Sequence, residues 1–178
     1  ISVTATGTGL TYQWKKDGID VVDGGDISGA QSNTLSLTNT TATNSGIYTV
    51  VISGTSPCSP VTSSNSVLTV NEIITITAQP AASQTACSGS TVNFSVTSTG
   101  TGITYQWKKN GTNLSNGGNV SGATSNTLTL TNVTTSESAN YTVVVSGVSP
   151  CAPVTSSTAA LVVNEIVAIT SQPATTQT

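Results

Sequence analysis

The residues best suited to metal chemistry are four aspartates, Asp17, Asp20, Asp23 and Asp26, set three apart around Gly18, Gly24 and Gly25. Clustered carboxylates suit calcium, a hard cation that takes several oxygen ligands. Shifted by 93 residues, the four become Asn110, Asn113, Asn116 and Asn119, while the glycines keep their counterparts Gly111, Gly117 and Gly118. Asp and Asn share backbone-capping geometry and tolerance for left-handed φ, but they differ greatly as calcium ligands. Turn formation is the expected role, and neither a metal nor any other cofactor is expected. Glu72 and Glu165 are single acids, too few for a calcium-stiffened junction.

Other chemistry is thin. The chain has no His, and its many serines have no obvious activating base, so nucleophilic or acid–base catalysis lacks its usual partners. Lys15, Lys16, Lys108 and Lys109 follow a Trp and read as solvated strand ends. No catalytic or cofactor-binding residue is expected, and the chain is read as not an enzyme. Asn-x-Ser/Thr triplets such as Asn93-Phe94-Ser95 follow from a composition rich in Asn, Ser and Thr. The three cysteines, Cys58, Cys87 and Cys151, are the remaining reactive groups.

The elements that must position these residues emerge from composition and from self-comparison. Ser and Thr supply 61 of 178 residues, charged residues only 6%, and the formal charge is −3. A polar, β-branched, turn-rich composition predicts an extracellular all-β protein. Four Lys and no Arg cannot neutralise a phosphate backbone, so no nucleic acid partner is expected. Apolar runs are only a few residues long, so neither direct membrane insertion nor a signal peptide is expected in this segment.

The sequence repeats with a period of 93. Tyr12-Gln13-Trp14-Lys15-Lys16 falls on Tyr105-Gln106-Trp107-Lys108-Lys109, Ser56-Pro57-Cys58 on Ser149-Pro150-Cys151, and Asn71-Glu72 on Asn164-Glu165. Residues 1–85 and 94–178 share 54 identities, about 64% of the overlap. Since Ile1 aligns with Phe94 inside an apolar alternation, the reading divides the chain into three. Residues 1–72 form a repeat lacking its first strand, 73–165 a complete repeat, and 166–178 the first strand of a third.

Within the complete copy, Val92, Phe94 and Val96 alternate with polar residues, as do Ile103, Tyr105 and Trp107, then Tyr141, Val143 and Val145, then Ala159, Leu161 and Val163. This period-2 pattern predicts half-buried antiparallel strands, about seven per copy. Asn110-Gly111 and Asn116-Gly117-Gly118 mark turns. The aromatic residues are all assigned to the interior or its edge: Phe94, Trp14 and Trp107 to the core, Tyr48 and Tyr141 to a corner, Tyr12 and Tyr105 beside the Trp. None is left for a sugar-stacking platform.

The run Tyr105 to Gly111, followed by Ser136-Glu137-Ser138-Ala139-Asn140-Tyr141-Thr142-Val143, resembles strand C and the strand F corner of an immunoglobulin-like domain. The first copy repeats it with Trp14 and with Asn44-Ser45-Gly46-Ile47-Tyr48-Thr49-Val50. The run Asn116 to Leu128 is similar to tandem immunoglobulin-like repeats in very large surface proteins of Bacteroidetes-type bacteria, some of them adhesins, including ones linked to gliding. The resemblance implies tandem immunoglobulin-like antiparallel β-sandwiches. The positions of the usual inter-sheet disulfide hold Val96 and Val143, and Val3 and Val50 in the first copy, so an apolar core around each Trp is implied. It also places Cys87 just before strand B, and Cys58 and Cys151 in the F–G connection. Those lie at opposite ends of such a sandwich, which favours cysteine partners in neighbouring repeats, with Cys87–Cys151 pairing inside one domain as the alternative.

The function implied is a structural stalk or filament repeat of a large extracellular bacterial surface protein, projecting a distal adhesive region for adhesion or motility. Its partners would be neighbouring repeats of the same chain and sister chains in a filament. The alternatives are a glycan- or protein-binding module and an accessory stalk of a secreted enzyme.

Overall fold

The computed structural model describes residues 1–173, and the chain divides into two compact units, the first Ile1–Glu72 and the second from Ile73 on. Among the described residues both are all-β apart from one short 3-10 turn each, Ala42–Asn44 and Thr135–Glu137.

The first unit contains β1 (Thr11–Lys16), β2 (Ile19–Asp20), β3 (Ile27–Ser28), β4 (Ser36–Leu37), β5 (Gly46–Ser53), β6 (Val61–Thr62) and β7 (Ser66–Leu68). One sheet runs β2-β1-β5-β6, with β7 also on β5, and β3 pairs with β4. The second unit contains β8 (Thr75–Ala78), β9 (Ser83–Cys87), β10 (Val92–Ser95), β11 (Thr97–Thr99), β12 (Thr104–Lys109), β13 (Thr112–Asn113), β14 (Val120–Ser121), β15 (Thr127–Leu130), β16 (Ala139–Ser146), β17 (Val154–Thr155) and β18 (Ala159–Asn164). Its larger sheet runs β13-β12-β16-β18-β9, with β17 also on β16; facing it are β10-β15-β14 and the pair β8-β11.

Period-2 alternation is the cause. In β10 and β15 the residues Val92, Phe94, Leu128 and Leu130 turn inward, and in β12, β16 and β18 so do Trp107, Tyr141, Val143, Ala159, Leu161 and Val163, giving one shared core. The expected strand through Val96 is two pieces. β10 pairs with β15, and β11 pairs with β8 through a register shift, so the chain changes partners at Val96. The hairpins follow the turn residues: Asp17-Gly18 and Asn110-Gly111 hold φ of 50° and 84°, and 49° and 82°, which matches the twist of a two-residue hairpin loop.

One strand was not visible in the alternation. Ser83–Cys87 forms β9, which pairs in parallel with β18 from Ala160↔Ser83 to Asn164↔Cys87. Cys87 is thus the last residue of this edge strand, shortly before β10, which is strand B. Residues 166–173, expected to open a third repeat, form no strand, and the remainder of that segment, 174–178, lies outside the described residues. Their counterpart β8 is a strand because β11 supplies its hydrogen-bond partners.

Candidate functional site

Each Trp stands at the centre of its unit. Trp107 and Val143 are directly opposite across β12 and β16, Val96 closes the facing side, and all three are buried. Trp107 Nε1–H donates to the Ser125 carbonyl at 2.8 Å, and Trp14 Nε1–H to that of Ser32 at 2.9 Å. Phe94 lies between the aromatic rings, 6.3 Å from Trp107 and 5.1 Å from Tyr141. In the first unit Trp14 and Val50 are buried and Val3 partly so. Tyr12 and Tyr105 are half-buried beside these cores, and the Tyr105 hydroxyl is 3.0 Å from Ser98 Oγ.

Tyr141 forms a corner by donating to the Glu137 carbonyl at 2.9 Å, and Tyr48 does the same to Asn44 at 2.8 Å. Burial pushes the Tyr141 hydroxyl up to about 12, with the Glu137 charge adding to it. Below each corner sits a capped 3-10 turn. The Glu137 carboxylate accepts the Thr134 backbone N–H and hydroxyl, both at 2.8 Å, and the Ser136 hydroxyl at 2.9 Å. Burial opposes ionisation of Glu137, but these bonds and the Lys109 charge outweigh it and hold its pKa below the ordinary glutamate value. Asn44 performs the same capping in the first unit without a charge, accepting Thr41 N–H at 2.8 Å.

The four aspartates are backbone-binding and pairing groups. Asp17 Oδ1 accepts Ile47 N–H at 2.9 Å as Asn110 accepts Asn140 N–H at 3.0 Å. Asp23 accepts Ala30 N–H at 2.7 Å as Asn116 accepts Ala123 N–H at 2.8 Å. Asp26 accepts the Asn39 side-chain N–H at 2.9 Å, and Asp20 pairs with Lys15. Among the described residues no group of three or more His, Cys, Asp or Glu is arranged for a metal. The lysines are tied to the surface: Lys109 Nζ donates to the Ser136 carbonyl at 2.7 Å and Lys16 Nζ to that of Thr43.

No disulfide joins Cys58, Cys87 and Cys151. Cys87 is paired with Asn164 at the end of β18, near Ala139, whereas Cys151 follows the other end of β16 at Ser146. Eight residues of β16 separate those ends, roughly 23 Å at about 3.3 Å per residue, and a disulfide needs Cα atoms within about 7 Å.

Two polar clamps had no place in the sequence reading. Gln106 Nε2 donates to the Trp107 and Leu114 carbonyls at 2.8 and 2.9 Å, tying β12 to the loop after β13, and Gln13 repeats both bonds at 2.9 Å each. Ser156 Oγ accepts Val143 N–H at 3.0 Å and donates to the Ser157 carbonyl, as Ser63 does for Val50. The available signal was that both residues recur in both copies.

A buried Trp on one central strand and a tyrosine corner on its neighbour are features of the immunoglobulin fold. Residues 74–147 match the model of the immunoglobulin domain. The chain is a tandem of immunoglobulin-like units, and solved structures of that fold resemble it. The I-band fragment I67–I69 from titin superposes with a TM-score of 0.65 at 20% identity, covering 92% of this chain and 58% of that one. The insect immune protein hemolin superposes with a TM-score of 0.61 at 20% identity, covering 88% of this chain and 39% of that one. The chain therefore spans little over half the length of the titin fragment and less of hemolin. No curated protein sequence matches it. No helix among the described residues is long and apolar enough to cross a membrane.

Proposed function

We propose that the chain is a spacer segment of a large extracellular protein of a bacterial surface, each 93-residue period forming one immunoglobulin-like domain that carries a distal adhesive region outward. The observation that supports this is the position of the chain ends in the second unit. Ile74 enters beside Gly147, next to the Ser146 end of β16, and Asn164 leaves beside Cys87 at the Ala139 end. A domain entered at one pole and left at the other advances the chain by its own length, and the short junctions Asn71-Glu72 and Asn164-Glu165 add little slack. The buried or half-buried aromatic residues fit a scaffold better than a sugar platform.

The cysteines suit the same reading. Cys87 at the exit pole would pair with the entry-pole cysteine of the following repeat, and Cys58 and Cys151 with exit-pole cysteines of the repeats before theirs. Neighbouring domains would then be stapled under oxidising conditions.

Single-molecule pulling of a reduced four-repeat chain tests the spacer. Equal unfolding steps are expected, each releasing on the order of 300 Å, the extended length of one period less its folded span. Irregular low-force extension, or selective capture of one glycan on an array, would replace the spacer with a binding module. Non-reducing peptide mapping of a three-repeat chain tests the staple, and a linked Cys87–Cys151 peptide would end it.

A further inference from the structure

The two units differ sharply along one sheet edge. β2 is the outer strand of its sheet in the first unit and β13 is the outer strand in the second, so the same edge exists in both. In the second unit this stretch is polar and uncharged, with Asn110, Thr112, Asn113, Ser115 and Asn116. The first unit holds Asp17, Ile19, Asp20, Val22 and Asp23 at those positions. Ile47 stands where the second unit has Asn140 and adjoins the stretch, because its N–H donates to Asp17.

These aliphatic residues do not serve the core. Ile19 and Val22 are 75% and 77% exposed and Ile47 is 42% exposed, whereas Val21 between the first two is buried and packs beside Trp14. Two clefts meet at Val22, one of about 410 Å3 bordered by Lys16, Ile19 and Ile27, the other of about 280 Å3 bordered by Gln13, Ala30 and Gln31. Exposed aliphatic side chains on an edge strand invite association, and sheet edges are ordinarily kept free of them. The fold does not require them, since Thr112 and Ser115 occupy the same positions beside an intact β13.

The backbone of this edge is also available. Val21 N–H donates to the Trp14 carbonyl at 2.9 Å, so by the alternation of an antiparallel edge the backbone groups of Asp20 and Val22 turn outward. An extended chain laid along β2 can bond there while covering the aliphatic side chains.

Charge selects the occupant. Asp17, Asp20, Asp23 and Asp26 are set against Lys15 and Lys16, and Lys15 is already paired with Asp20. A second copy of the chain would bring the same acids to the contact, and nucleic acid or an anionic lipid surface would be repelled in the same way. A cationic segment is attracted.

We propose that the β2 edge of the first unit is a docking site for an extended basic segment of a partner protein, one in which Lys or Arg is interspersed with aliphatic residues. The segment adds as a strand through the backbone of Asp20 and Val22, its aliphatic residues cover Ile19 and Val22, and its cations face Asp17, Asp20 and Asp23. The second unit, with Thr112, Ser115 and its asparagines, does not take it.

Titration of the isotope-labelled 178-residue chain with the peptide Lys-Val-Lys-Val-Lys-Val, followed by amide resonances, tests this. Resonances of residues 19–23 should move and those of residues 112–116 should stay. Val22→Ser and Ile19→Thr carry the second unit's own residues into the first, so neither threatens the fold, and each should weaken binding about tenfold through loss of aliphatic contact. Asp20→Asn together with Asp23→Asn should weaken binding and flatten its dependence on salt. The reverse exchange in the second unit, Thr112→Ile, Asn113→Asp, Ser115→Val and Asn116→Asp, should create a second site. Resonances of residues 19–23 that do not move, equal movement in both units, equal binding of Glu-Val-Glu-Val-Glu-Val, or full binding by Val22→Ser would overturn the proposal. Self-association of the chain abolished by Val22→Ser would overturn it too, by assigning the edge to a second copy.

Discussion

Trp107 lies directly opposite Val143 on the neighbouring antiparallel strand, and both side chains are fully buried. The usual cross-sheet disulfide of the fold is replaced at this point by aliphatic packing against the indole, with Val96 on the facing side. Trp107→Ala should therefore cost about 3–5 kcal/mol and unfold most of an isolated second unit. Chemical denaturation followed by circular dichroism checks it. A midpoint close to that of the parent would mean that the indole contributes little to the core.

Tyr141→Phe keeps the ring against Phe94 and removes only the bond to the Glu137 carbonyl. The expected loss is about 0.5–1.5 kcal/mol at neutral pH. Because the folded hydroxyl is raised to about 12 from an unfolded value near 10, its contribution is complete below about 10 and is lost as pH rises through about 12. Stability of the parent should fall over that window, and the Phe variant should show a smaller fall in denaturant titrations.

Glu137 provides the opposite sign. Its carboxyl is held below the ordinary glutamate value, so its contribution is present above an unfolded pKa near about 4.3 and disappears as pH falls through the lower folded value. Glu137→Asn copies the uncharged cap of the first unit at Asn44. That variant should lose part of the acid dependence of the second unit, read by hydrogen exchange at Val163 and Ser138, which the same corner links. An unchanged acid profile would show that the cap does not titrate with folding.

Calcium should leave the first unit unaffected, since Asp17 and Asp23 bind backbone N–H groups that Asn110 and Asn116 bind equally well. Thermal melts with calcium and with a chelator should coincide, and the double change Asp17→Asn, Asp23→Asn should melt close to the parent. A melting temperature that rises with calcium and loses that rise in the double variant would restore the metal site.

The period of 93 and the alternation around Trp107, Phe94 and Tyr141 were legible because burial on one face of a strand writes itself into every second residue. Asn110-Gly111 was legible because left-handed φ restricts residue choice. β9 was not: Ser83–Cys87 holds small and polar residues, and its place depends on the distant β18. The clamps of Gln106 and Ser156 escaped for a similar reason, since a polar side chain does not declare in its own neighbourhood which carbonyl or N–H it will meet.

The parallel pairing of β9 with β18 has a mechanical meaning. The chain enters the second unit through β8, continues into β9 and leaves directly after β18, and β9 and β18 run the same way side by side over five residue pairs. Tension on the two ends drags β9 and β18 in opposite directions along their common axis. Once β8 has come away from β11, the bonds between β9 and β18 are sheared together rather than peeled one after another, so release of β9 needs the whole ladder to fail at once. An antiparallel pair joined by a hairpin and pulled from its two free ends would open bond by bond at much lower force. The direction of one short edge strand thereby sets how abruptly this domain yields.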